Sequence, residues 1–138
     1  MIKIIAIGRK HESWITDGLE RYQKRLKAPW NVEWVLLPHS AREGLVARQE
    51  ESSTILSRLK DDDFVILLDE RGKLLDSPAL SRQIEQVFPT SKTPVCIIGG
   101  AYGVDDSLTS RADLVWSLSP LVFPHQLVRL ILAEQLYR

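Results

Sequence analysis

The sequence predicts an α/β fold in which a parallel-rich sheet carries helices on both faces. Short apolar runs rich in Ile and Val recur at Ile2–Ile7, Val32–Leu37, 64–68, 95–98 and Leu114–Ser117. Segments with helical spacing separate them, and strands joined through helices pair in parallel. Most of these runs are continuously apolar, not alternating, as strands covered on both faces require.

The elements follow in order. After the first strand, residues 12–26 read as a helix with Trp14, Leu19, Tyr22 and Leu26 as its apolar positions, stopped by Pro29. Pro38 closes the second strand. A helix over 45–59 has only Leu45, Ile55, Leu56 and Leu59 to face a core. The run Asp61-Asp62-Asp63 reads as a solvated loop before the third strand, and Asp69 to Lys73 as the loop after it. Asp76-Ser77-Pro78 is a strong start signal, a capping carboxylate followed by proline in the first turn, for a helix over 79–88. The strand at 95–98 is followed by a short helix at 106–111, the strand at 114–117, and a last helix over 124–137 that is apolar on more than one face.

The 138 residues fit one domain, 1–138, and 44% hydrophobic with 26% charged content describes an ordinary globular chain. Cys96 is the only cysteine and lies within an apolar strand, so it reads as a buried inert thiol, and an intrachain disulfide is excluded. The apolar start is too short for a signal peptide and no stretch approaches membrane-spanning length, so a cytoplasmic protein without membrane contact is expected. His11, His39 and His125 are isolated in sequence, which supports no metal site. Residues 99–103 do not spell G-x-G-x-x-G and no P-loop pattern occurs, so the common dinucleotide and P-loop readings fail.

Zero net charge conceals an asymmetry. Residues 1–60 carry 11 Lys and Arg against 7 Asp and Glu, and residues 61–138 carry 7 against 11. Basic residues gather at Arg9-Lys10-His11 and from Arg21 to Lys27, with Tyr22 and Trp30 nearby. Such a surface suits phosphate contacts, but with Glu12, Asp17 and Glu20 interleaved the charge pattern favours a solvated helix face.

Two segments define a candidate pocket. Ile97-Ile98-Gly99-Gly100-Ala101-Tyr102-Gly103 empties a buried strand into a loop whose glycines allow positive φ and close approach of backbone to a ligand. Ser117 to Arg129 runs from a short strand through Pro120 and Pro124 into the last helix. Both loops, and the one after Leu68, lie at carboxyl ends of strands, where open parallel sheets bind ligands.

These residues carry a specific resemblance. Leu68-Asp69-x-x-Gly72-Lys73, Ile98-Gly99-Gly100-Ala101-x-Gly103, Ser117-Leu118-Ser119 with Phe123-Pro124-His125-Gln126-Leu127-x-Arg129, and the closing Glu134-Gln135-Leu136-Tyr137-Arg138 together resemble the RlmH family. These are SPOUT-class methyltransferases acting on pseudouridine N3 of large-subunit ribosomal RNA. The resemblance extends over essentially the whole chain, including Ile4-x-Ala6-Ile7-Gly8. It implies a homodimer, a deep C-terminal trefoil knot within about 64–138, S-adenosylmethionine as cofactor and the assembled ribosome as partner. By position, it carries cofactor contacts to Leu68, Gly99, Leu118, Ser119, Pro120, Leu121, Val122 and Phe123. Without the resemblance, the leucines and Phe123 would read as core.

Leu121-Val122 stand where the family more often has methionine-threonine, removing one hydroxyl. The family also continues into a short tail with a terminal Tyr-His pair, whereas this chain stops at Arg138. The resemblance therefore implies either an RNA methyltransferase or, as the alternative, a tail-less cofactor- and RNA-binding dimer with little activity. A knotted scaffold with a purely structural glycine loop is a third reading. Methylating an imide nitrogen needs orientation and a proton acceptor, but no metal. His125 is a candidate acceptor, or a polar helix-start residue satisfied by backbone. Arg129, one turn later, can stabilise a deprotonated base or make a structural contact across a dimer.

Overall fold

The computed structural model describes residues 1–138. Its five strands are β1 (Ile2–Ile7), β2 (Val32–Leu37), β3 (Asp63–Leu74), β4 (Thr93–Ile98) and β5 (Leu114–Ser117). The helices are α1 (Ser13–Gln23), α2 (Gly44–Ser57), α3 (Ser77–Glu85), α4 (Asp106–Arg111) and α5 (His125–Tyr137). The strands form one sheet in the order β2-β1-β4-β3-β5, and every pairing is parallel. No helix is long and apolar enough to cross a membrane.

The period of two along each strand divides the core. Ile2, Ile4, Ala6, Ile66, Cys96, Ile98 and Trp116 pack with Leu80 and Ile84 of α3 and Leu132 and Leu136 of α5. On the other face, Ile5, Ile7, Val65, Leu67, Val95 and Ile97 pack with Ile55 of α2 and Leu108 of α4. Helix α1 lies on α5, joining Ile15 and Leu19 to Ala133. Adjacent strands β1 and β4 therefore send their following helices to opposite faces, the arrangement that opens a crevice at carboxyl ends. Burial pushes the Cys96 thiol up to about 12, so it stays protonated and unreactive.

Three sequence expectations are corrected. Trp14 is 53% exposed, and Ile15 with Leu19 forms the buried stripe of α1. Leu45 is exposed too, because α2 faces the sheet through Ala47, Glu51, Ser52 and Ile55. Asp63 is buried, not solvated: its carboxylate accepts the Lys60 N–H at 2.8 Å, closing the turn into β3.

The Asp69 to Lys73 segment is likewise part of the sheet. Leu68 and Lys73 both register with Trp116, so Asp69, Glu70, Arg71 and Gly72 bulge out of β3 before the strand resumes beside β5. Gly72 makes the return feasible. A Cβ there would stand 2.7 Å from the backbone of Val115, and backbone on both sides cannot swing away as a side chain can. Gly72→Ala should therefore destabilise the fold by about 1–3 kcal/mol in urea denaturation; an unchanged midpoint would mean that the bulge absorbs the methyl group without strain.

Candidate active site

A cleft of about 740 Å³ opens at the carboxyl ends of β3, β4 and β5. Its first wall is Leu68 with the β3 bulge. There the Arg71 guanidinium grips the Asp69 carboxylate, with Nη2 on Oδ2 at 2.9 Å and Nε on Oδ1 at 3.1 Å. That hydrogen-bonded pairing holds the Asp69 carboxyl below its ordinary range despite burial.

The glycine loop is the second wall. Gly103 N–H donates to Gly100 O at 3.1 Å, and only Gly103 of its three glycines has positive φ, +78°. At Gly99 the constraint is space: a Cβ would meet Val104 Cγ1 at 3.0 Å. Helix α2 fixes the loop from outside, since Arg48 Nε donates to Tyr102 O at 2.8 Å and Ser52 Oγ accepts the Asp105 N–H at 3.0 Å.

The third wall follows β5. Ser117 Oγ donates to Ser119 O, and Ser119 Oγ accepts the Leu121 N–H, each at 3.0 Å, so both hydroxyls shape their own loop. Leu118, Ser119 and Phe123 line the cleft, as do Leu121 and Val122 at its exposed lip, 68% and 79% accessible. Pro120 is exposed and does not line it.

His125, the first residue of α5, faces the cleft half-buried. Burial chiefly, with Arg129 and His39 nearby, lowers its pKa below the ordinary 6.5, while Glu12 and Glu51 pull the other way. It is accordingly neutral, and a proton acceptor, at neutral pH. Its ring centroid lies 6.0 Å from that of His39 in an edge-to-face arrangement.

Arg129 is placed elsewhere. Its side chain is fully buried beneath the β1 end and does not line the cleft. Nη2 donates to Ile7 O at 2.9 Å and Gly8 O at 3.2 Å, and Nη1 donates to Lys10 O at 3.0 Å. Nη1 also lies 3.1 Å from His11 Nδ1; an arginine only donates, so that nitrogen accepts and the His11 proton sits on Nε2. Burial and the Arg129 charge both lower the His11 pKa, in keeping with a neutral ring. Gln126 continues the clamp, donating to Lys10 O at 3.1 Å and accepting the Glu12 N–H at 3.0 Å.

Sequence reading found the α2 helix but passed over its buried polar stripe. Ala47, Glu51 and Ile55 form an i, i+4, i+8 stripe, and a carboxylate inside such a stripe is the available sign of a buried charge. With this geometry in place, comparison with known proteins is informative. Residues 1–138 match the family model described as Predicted SPOUT methyltransferase. The chain belongs to the SPOUT methyltransferase family. Within it, the chain falls in the RlmH group, being similar to proteins named Ribosomal RNA large subunit methyltransferase H. The protein of that name from Acetivibrio thermocellus is 37% identical over 99% of this chain and 91% of its own length. One from Thioalkalivibrio sulfidiphilus is 37% identical over 99% and 90%, and one from Bdellovibrio bacteriovorus 39% over 92% and 84%.

The Arg129 clamp makes a direct prediction. Arg129→Ala removes the guanidinium from Ile7 O and Gly8 O, while Lys10 O keeps Gln126 as donor, and should cost about 3 kcal/mol or more in urea denaturation. Arg129→Lys should recover only part, because one ammonium cannot span the fork. A loss below about 1 kcal/mol for the alanine variant would show that water replaces the guanidinium there.

Proposed function

We propose that this protein transfers a methyl group from S-adenosylmethionine to N3 of a pseudouridine in large-subunit ribosomal RNA, acting on the assembled ribosome in the cytoplasm. The observation that carries the reading is the convergence of the Gly99 and Leu118 loops with His125 on one cleft. Membership of the SPOUT methyltransferases supports the chemistry, and relatives named for ribosomal RNA support the substrate.

The residues present fit the cofactor. Ten of the twenty cleft residues are hydrophobic, and Gly99 keeps the backbone close where a Cβ would press on Val104. Leu68, Leu118, Leu121 and Phe123 would enclose adenine and the thioether carbons, while backbone at Gly99, Ser119 and Val122 would meet the polar groups; Pro120, outside the lining, would only shape the loop. S-adenosylmethionine supplies, when bound, an electrophilic methyl on a sulfonium. His125 takes the N3 proton onto a ring nitrogen and returns it to water, consistent with its lowered pKa. Arg129 acts as a positioning residue that fixes α5, and hence His125, against the β1 end.

The reading extends to assembly: a single domain, 1–138, with the trefoil knot in 64–138 and two copies forming a homodimer. The knot is supported by the path after β5, which starts at the sheet edge and brings α5 back over β1 and β4. The dimer is supported by Leu127, Val128, Leu130 and Ile131, which one copy leaves partly accessible. The near balance of charge limits affinity for free RNA at physiological salt, so recognition needs a shaped partner.

Ribosomes lacking the modification should accept tritiated methyl groups, with protein-free ribosomal RNA a much poorer substrate. Gly99→Val should weaken S-adenosylmethionine binding at least tenfold in calorimetry without unfolding the chain. Unchanged affinity would remove Gly99 from the cofactor site, and absence of transfer to ribosomes would overturn the function. Sedimentation at micromolar concentration should give twice the 15.7 kDa chain mass; a monomer would exclude the dimer.

A further inference from the structure

Glu51 is a carboxylate in an expensive place. Only 4% exposed, it sits on the core-facing stripe of α2. Oε2 accepts the Ser40 N–H at 2.9 Å and lies 3.9 Å from Nδ1 of His39. Oε1 has no hydrogen-bond partner and points at the glycine loop, 2.7 Å from where a Gly100 Cβ would stand. Oε2 has a backbone donor but Oε1 has none, and a leucine of similar size would fill the space without leaving a polar atom unpaired. A buried side-chain oxygen left without a partner beside a cleft calls for a reason, and a role in the site's chemistry is one.

Its neighbourhood says which chemistry. His39, its side chain 53% exposed, stands between Glu51 and His125: one side approaches the carboxylate and its ring edge-packs on His125. The charged and titratable groups around His125 are Arg129 on α5, Glu12 ahead of α1, His39 after β2 and Glu51 on α2. Arg129 opposes a positive His125, and Glu12 is exposed to solvent, so Glu51 is the one buried anion of this set.

We propose that Glu51 and His39 are positioning residues that set the proton affinity of His125 from behind the cleft, Glu51 as counter-charge and His39 as an opposing imidazole. The proton taken from the substrate nitrogen makes His125 an imidazolium while the methylated nitrogen becomes neutral. The Glu51 carboxylate offsets that positive charge, and water then removes the proton. This rests on His125 being the acceptor in the proposed methyl transfer.

The test compares the ring titration of His125 by NMR in the full chain with that in Glu51→Gln and His39→Gln. Glu51→Gln should lower the His125 midpoint, and His39→Gln should raise it. Opposite signs are a result that general loosening of the fold does not produce. Glu51→Asp should restore part of the shift. In methyl transfer to ribosomes, the acid limb of the rate profile should move with each midpoint, and Glu51→Gln should lower kcat at least threefold at unchanged KM for S-adenosylmethionine. A His125 midpoint unmoved in Glu51→Gln overturns the proposal. Midpoints that move while the rate profile stays fixed also overturn it, since the tuning would then serve no step. If the unaltered chain transfers no methyl group, the proposed function fails by itself, and the titration alone decides whether Glu51 and His39 tune His125.

Discussion

The guanidinium of Arg129 is the contact on which the site depends. Parallel strands all end at one edge, so the last carbonyls of β1 point into the space where α5 begins, with no strand beyond to pair them. Ile7 O and Gly8 O are answered by a single side chain rising from the second turn of α5, which shares Lys10 O with Gln126. A planar fork of donors suits that task as a point charge does not. Removing it would leave carbonyls buried without partners and would free the helix start that carries His125.

Most of the cleft is built by backbone, and side chains chiefly hold that backbone in shape. Ser117 and Ser119 tie their own loop, Arg48 and Ser52 brace the glycine loop from α2, and Arg71 closes on Asp69 within the bulge. Such a site has walls fixed before a ligand arrives, which limits the ordering cost of binding. It also explains how Leu121-Val122 can replace residues of other chemistry at the lip, where their side chains are largely exposed.

The fold was legible because its strands are short apolar runs separated by segments of helical spacing, with a capping signal at α3. The limits of β5 and α4 read from the sequence coincide with the structure, and Asp76 caps α3 as read, accepting the Ala79 N–H at 2.8 Å. What escaped has physical causes. The return of β3 after its bulge depends on Gly72 meeting the backbone of Val115, a contact between distant segments that no local pattern announces. Trp14 looks like core by composition, yet the α1 stripe passes through Ile15 and Leu19. In the site, the two loops were found from glycine and proline placement, and His125 was singled out only through the resemblance, as the histidine next to the second loop. Glu51 was passed over because a polar residue on a weakly amphipathic helix reads as solvent-facing, and the direction of Arg129 is settled only by the end of β1.

The clamp joins the two ends of the chain. Arg129 bonds to residues 119 to 122 positions earlier, and Gln126 bonds to Glu12 across 114. Contacts of such sequence separation form late and slow folding, because the intervening loop must be closed before they give anything back. During synthesis the first strands emerge long before α5 exists, so Ile7 O and Gly8 O wait for this donor until Arg129 has left the ribosome. The protein thus acquires its cleft only after α5 has emerged, and a nascent chain that stops short of that helix has no assembled site with which to act.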